Sequence, residues 1–147
     1  MIKIEYPHHD FRLKKENEKE FIFDEIRKTW LRLTPEEWVR QNFVQYLLLV
    51  KHYPASLIAL EKKIIVGELS RRFDILVYDE KHHPWMMVEC KGMDVALKPA
   101  VLDQVLRYNI GIPVPFLVIT NGIYCAAFSK GDQQLHALAL FPSFGGS

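Results

Sequence analysis

Arg72-Phe73-Asp74-Ile75-Leu76-Val77-Tyr78, then Asp79-Glu80-Lys81-His82-His83-Pro84, then Trp85-Met86-Met87-Val88-Glu89-Cys90-Lys91: two apolar runs flank a polar, turn-forming segment. The pattern predicts two antiparallel strands joined as a hairpin. Each run is interrupted by one carboxylate, Asp74 in the first and Glu89 in the second. Strand side chains alternate, so Trp85, Met87, Glu89 and Lys91 share one face, and Asp74, Leu76 and Tyr78 share one face of the partner. With 80–83 as a four-residue loop, Asp79 pairs with Pro84, Tyr78 with Trp85, Leu76 with Met87, and Asp74 with Glu89. A slip of one residue would break that pairing. In this register the two carboxylates face each other at roughly 5 Å between Cβ atoms.

Like charges placed opposite one another are destabilising, and both strands are otherwise apolar. A shared proton, a nearby cation or a bound metal must neutralise the pair. Lys91 points to the same face two residues on. Two carboxylates and a lysine on one sheet suit a hard divalent ion such as Mg²⁺ with a water held nearby, and the backbone carbonyl of Cys90 offers a third oxygen. The competing reading is a solvated ion cluster on an open sheet face. Charges that interrupt apolar strands are poorly placed for mere solvation, which favours the metal reading.

Working outward, Thr34-Pro35-Glu36-Glu37 marks a helix start, with Thr34 as cap, Pro35 at the first helical position and Glu37 three residues after the cap. The spacing predicts a helix over 35–53 with Val39, Phe43, Leu47 and Val50 facing the core and Glu37, Gln41 and Gln45 as a polar stripe. Short strands are expected over 21–24, 29–33, 57–60, 63–66, 116–120, 123–128 and 135–141, with Asn121-Gly122 as a hairpin turn. A second helix is expected over 99–109, with Gly111 beyond its end. The expected fold is α/β, a mixed central sheet flanked by helices. One domain over 1–147 is expected, with a core at about 34–128, an N-terminal extension over 1–33 and a flexible tail over 142–147.

Hydrophobic residues make up 49% and charged residues 25%, which is ordinary globular composition and excludes disordered and fibrous classes. A net charge of +1 excludes a strongly basic, histone-like binder but leaves room for local basic patches. Cys90 and Cys125 sit in apolar runs without CxxC spacing, which predicts two buried free thiols. The chain starts without a signal-like segment and no apolar stretch reaches the ~20 residues of a membrane span, so a cytoplasmic location is expected. His8-His9 and His82-His83 are adjacent rather than ligand-spaced, and the second pair falls in the predicted turn. Trp30, Trp38 and Trp85 read as core or core-edge residues.

The second helix carries Gln104 and Tyr108 at i, i+4, so both project from one face. Taken alone, they read as a surface glutamine and a half-buried tyrosine. Taken with Asp74 and, after fourteen intervening residues, Glu89-Cys90-Lys91, the set resembles the D…ExK core of PD-(D/E)XK nucleases with the QxxxY motif of their RecB-like branch. The wider run is similar to the N-terminal nuclease domain of type I restriction enzyme R (HsdR) subunits, through Thr34-Pro35-Glu36-Glu37-Trp38-Val39-Arg40-Gln41, Arg72-Phe73-Asp74-Ile75, Val88-Glu89-Cys90-Lys91, Asp103-Gln104-Val105-Leu106-Arg107-Tyr108-Asn109 and Thr120-Asn121-Gly122. Phe73 stands where the motif's name has proline.

The resemblance implies a restriction-endonuclease-like fold and a Mg²⁺-dependent endonuclease, with Mn²⁺ as substitute and DNA as the expected nucleic acid. It implies that Asp74 and Glu89 bind the metal, that Lys91 positions or activates the attacking water, and that Gln104 and Tyr108 orient the site or contact the nucleic-acid backbone. Glu37 matches the acidic residue that often completes such sites; its other role is the capping box. The alternative function is a binding module of the same fold that holds nucleic acid or a partner subunit without cutting. The sequence contains no G-x-x-x-x-G-K-[ST] loop, so a motor or specificity function would come from other subunits. A homodimer is left open.

Overall fold

The computed structural model describes residues 1–132 and 134–145. Its centre is a mixed seven-stranded sheet built from β1 (Ile2–Lys3), β5 (Ile58–Val66), β6 (Leu69–Tyr78), β7 (Pro84–Cys90), β8 (Phe116–Thr120), β9 (Tyr124–Gly131) and β10 (Gln134–Ala137). The strand order is β1-β9-β8-β7-β6-β5, with β10 also on β9. Among the described residues only β7 and β8 run parallel, and helix α2 (Pro99–Asn109) makes the crossover that parallel pairing needs. A separate antiparallel sheet joins β2 (Leu13–Glu16), β3 (Lys19–Asp24) and β4 (Thr29–Arg32). Helix α1 (Pro35–Gln45) follows it. The architecture is α/β, a mixed sheet flanked by helices, and fits the restriction-endonuclease-like fold. Among the described residues no helix is long and apolar enough to cross a membrane.

The two helices cover opposite faces of the sheet. Val39, Phe43, Val44 and Leu47 pack with Ile75, Val77, Met86, Val88 and Val118. On the other face, Val105 of α2 packs with Leu97 and Ile119, and Leu106 lies against the cluster of Leu76, Met87 and Leu117. Alternation along β7 thus sends Met86 and Val88 to α1 and Met87 to α2. Cys90 and Cys125 are buried free thiols, as their apolar surroundings suggested. Trp85 is buried, and His82 lies exposed in the β6–β7 turn.

Helix α1 starts as expected, with Thr34 Oγ1 accepting from the Glu37 N–H at 3.0 Å. It does not run on to residue 53 as an α-helix. The chain widens into a π-helical turn over Tyr46–Val50, and that extra residue per turn breaks the 3.6 period. Tyr46 and Leu47 stay buried, while Val50, expected in the core, is 40% exposed. The segments expected as two strands over 57–60 and 63–66 form the single strand β5, whereas the expected strand over 135–141 ends at Ala137. Phe141 instead packs its ring against Phe43, Tyr46 and Tyr53. The tail expected to be flexible from residue 142 is anchored at Phe144, whose ring meets Tyr53 and Trp85; Gly146 and Ser147 lie outside the described residues.

The β6–β7 register is Ile75↔Val88, Leu76↔Met87 and Val77↔Met86. Leu76 and Met87 pair as expected. Tyr78 pairs with Pro84 rather than Trp85, because an irregularity falls between Val77 and Tyr78. Extending the register places Asp74 across from Glu89. The expected shared face for Asp74 and Leu76 does not follow, however. Phe73 packs with Leu76 and Met87 while Ile75 packs towards α1, so alternation breaks across Asp74.

The β8–β9 turn closes with the Asn121 N–H donating to the Tyr124 carbonyl at 3.2 Å. Gly122, at the first central position, has φ +89°, the placement a type II′ hairpin favours. Asn121 Oδ1 accepts from the N–H groups of Ile123 and Tyr124, each at 3.0 Å. A Cβ on Gly122 would approach Val39 Cγ2 of α1 to 3.1 Å. Gly122→Ala therefore combines strained backbone with a tight contact, and is expected to lower unfolding stability by roughly 1–2 kcal/mol in a urea titration.

Candidate active site

The β6–β7 ladder stops at Ile75↔Val88. Beyond it, the Cys90 N–H donates to Asp74 Oδ2 at 2.7 Å, so a side-chain carboxylate takes the place of a strand carbonyl. The other oxygen, Oδ1, lies 3.3 Å from Arg40 Nη2. Arg40 reaches the sheet from α1 and is only 5% exposed. Its Nη1 sits 2.9 Å from Glu61 Oε1 on β5 and 3.3 Å from Glu37 Oε1, one turn earlier on α1. These are charge contacts out of line with the N–H bonds, since Nε and Nη1 have no aligned acceptor. Burial works against the Arg40 charge, but Glu37, Asp74 and Glu61 outweigh it and raise its pKa.

A second arginine extends this network. Arg27, in the turn between β3 and β4, donates from Nε to Asp24 Oδ2 at 2.6 Å and from Nη1 to Glu61 Oε2 at 3.2 Å. Its Nη2 lies 3.9 Å from Glu37 Oε1. Burial alone would raise the Glu61 pKa, and Arg40 and Arg27 bring it below the usual value. Glu61 also carries φ +50° on its strand, opposite the level where alternation breaks on β6. Of the capping box, the Glu37 N–H donates to Thr34 Oγ1, while the Glu37 carboxylate accepts from Gln41 Nε2 at 2.9 Å and faces Arg40.

Asp74 and Glu89 have different surroundings. Burial raises the Asp74 pKa, opposed by the Cys90 N–H and Arg40. Burial and the neighbouring Asp74 charge push Glu89 up to about 7, with Lys91 opposing. Glu89 enters no ion pair or side-chain hydrogen bond among the described residues. It lines a cavity of about 310 Å³ with Arg72, Lys91, Gln104, Val105, Tyr108 and Asn109. The structure thus brings Glu89, Lys91, Gln104 and Tyr108 to one cavity. Asp74 and Glu37 stand outside that lining and connect through Arg40.

Tyr108 is 60% exposed rather than half-buried. Its ring is held by the Arg71 guanidinium, 3.8 Å from the ring centroid, and Arg71 Nε also donates to the Tyr108 carbonyl at 3.2 Å. Arg71, Gln104, Arg107 and Tyr108 line an adjoining open cleft. Asn109 is buried, and its Oδ1 faces no donor.

Sequence reading missed Arg40, Arg27, Glu61, Asp24, Arg71 and the orphaned Asn109 oxygen. The Glu37–Arg40 spacing on a helix was a usable signal. Nothing in the sequence linked Arg27 to Glu61, thirty-four positions away.

Among the described residues no three His, Cys, Asp or Glu side chains form a metal-binding group. A Mg²⁺ ion does not require three, since it keeps several waters and uses one or two carboxylates plus substrate phosphates. Glu89 supplies an unpartnered carboxylate whose raised pKa a cation would relieve. Each Asp74 oxygen keeps a second lone pair beyond its present contact. The orphaned Asn109 oxygen, on the same cavity, suits a water in an ion's outer shell. The residues fit a hydrated divalent cation.

Comparison with curated proteins finds no match for the chain. A family model described as type I restriction enzyme R protein N terminus (HSDR_N) matches residues 35–142, from the first residue of α1 to just past the last strand. That span is well over half the chain and holds Asp74, Glu89, Lys91, Gln104 and Tyr108 in order on the strand–strand–helix frame that the structure shows. By that match the chain belongs to the family of type I restriction enzyme R protein N termini.

Proposed function

We propose that this domain is a metal-dependent endonuclease that hydrolyses phosphodiester bonds in DNA. One observation carries the reading: Glu89, partly buried beside Asp74 and without an ion pair among the described residues, opens into a cavity with Lys91, Gln104 and Tyr108. Asp74, Glu89 and the Cys90 carbonyl would hold Mg²⁺ or Mn²⁺, which when bound stabilises charge on the phosphate. Lys91 would position the attacking water or activate it through its charge. Gln104 and Tyr108 contact the nucleic-acid backbone, with Arg71 and Arg107 on the same cleft for phosphate. Glu37 acts through Arg40, which fixes the rotamer of Asp74. The family name places such domains in type I restriction enzyme R proteins, so DNA and other restriction–modification subunits are the partners proposed here. Motor action would come from outside these 147 residues.

The Arg40–Asp74 contact favours one second reading. A guanidinium already supplies Asp74 with a cation, as in a non-cutting module of this fold that holds nucleic acid or a partner subunit.

Calorimetry and cleavage separate the two. Wild type is expected to bind Mn²⁺ or Mg²⁺ at millimolar concentration and to nick plasmid DNA only with metal. Asp74→Asn/Glu89→Gln is expected to lose both. Absence of metal binding in wild type rejects the nuclease reading, and binding without cleavage across plasmid and single-stranded substrates supports the module.

Glu89 also sets a pH dependence. Its folded pKa, about 7, exceeds the unfolded value of about 4.3, so the folded state holds the proton more tightly. Its contribution is complete below about pH 4 and is lost as pH rises to about 7. Without metal, Glu89→Gln is expected to raise Tm at pH 8 and to flatten Tm between pH 5 and pH 8. Mn²⁺ at pH 8 should raise the wild-type Tm and leave the variant's unchanged.

A further inference from the structure

The small sheet β2–β3–β4 has two unlike faces. On the inward one, Ile22 is fully buried beside Leu31, while Leu13, its partner on the edge strand, is 54% exposed. On the outward one, register aligns Lys14, Phe21 and Arg32 in one row, Phe23 and Trp30 in the next, and Glu16 with Lys19 at the far end. Arg12 flanks Phe23 through a backbone hydrogen bond of 2.9 Å to the Arg12 carbonyl. Its guanidinium lies 4.3 Å from the Phe23 centroid and 5.4 Å from that of Trp30. Lys14 Nζ lies 4.5 Å from the Trp30 centroid. Phe23 and Trp30 meet edge to face at 5.3 Å.

This face therefore carries three partly exposed rings and four cations, with Glu16 as its one carboxylate, and Lys14 sits 3.0 Å from Glu16. It lies before the stretch that matches the family and uses no residue of the candidate active site. Four of the chain's 19 lysines and arginines gather here, among rings.

We propose that the outward face of β2–β3–β4 is a binding platform for single-stranded nucleic acid. Phe21, Phe23 and Trp30 stack with bases, and Arg12, Lys14, Lys19 and Arg32 contact phosphates. Rings interleaved with cations on a sheet supply both contacts that a single strand needs. A duplex hides its base faces and would leave the rings unused. An acidic peptide would engage the cations alone. The β3–β4 turn carries Arg27 to Glu61 and Glu37, so this platform adjoins the candidate site while remaining independent of the nuclease reading.

The test uses the full chain carrying Asp74→Asn/Glu89→Gln in EDTA, so that neither metal nor cutting contributes. A short fluorescein-labelled oligothymidylate is the probe, read by anisotropy and by tryptophan fluorescence. Binding is expected to weaken linearly with log salt, with a slope of roughly −2 to −3 for four phosphate contacts on a single strand. Arg12→Gln/Lys14→Gln/Arg32→Gln, which keeps the sheet's apolar contacts, is expected to weaken Kd by tenfold or more and to reduce the slope. Trp30→Phe, which preserves packing, should abolish the fluorescence quench. No binding by the parent, binding by the triple variant within twofold of it, or equal binding of duplex or polyglutamate overturns the proposal. Because the assay excludes metal, its failure is distinct from failure of the nuclease reading.

Discussion

Arg40 carries a charge into the interior, and the cost of stripping water from a guanidinium is several kcal/mol unless carboxylates meet it there. Three do so: Glu37 on its own helix, Glu61 on β5 and Asp74 on β6. Arg27 shares Glu37 and Glu61 and closes on Asp24, which binds the N-terminal sheet to the same network. The position of Asp74, the seating of α1 and the docking of the β3–β4 turn are thus solved together by one set of ion pairs. Removing one partner would leave its neighbours buried and unmet.

That network separates the two carboxylates. Asp74 has a guanidinium and a backbone N–H, whereas Glu89 has neither and faces the α2 cavity. Two acids held close with only one of them neutralised will titrate apart. Under the proposed function, binding of a divalent ion takes up the unmet charge and releases a proton from Glu89, which couples metal affinity to pH.

Local chemistry was legible wherever it also determined local structure. Pro99 and the strand-forming run Phe116-Leu117-Val118-Ile119-Thr120 gave α2 and β8 with the observed bounds, and Thr34-Pro35 gave the start of α1. On β7 and α2, Glu89, Lys91, Gln104 and Tyr108 line one cavity, a grouping that the resemblance implied and that spacing within each element did not. Four features were not legible. The π-helical turn that exposes Val50 has no periodic signature. The two-residue strand β1 is held by β9, distant in sequence, and the polar run of β2 carries no strand pattern although its partner β3 follows at once. The turning of Asp74 depends on a ladder ending one pair earlier, and the Arg27 and Arg40 contacts cross between elements. Periodicity reports which face a residue occupies, not which distant charge it will meet.

The left-handed backbone at Glu61 has a consequence for which residues suit it. A glycine would sit there without strain, since it alone adopts that conformation freely. It would also remove the carboxylate that Arg27 and Arg40 share. At this position an easier backbone therefore runs against the ion pairs that meet Arg27 and Arg40. A sequence redesigned for backbone comfort alone would discard the side chain that keeps two arginines in place.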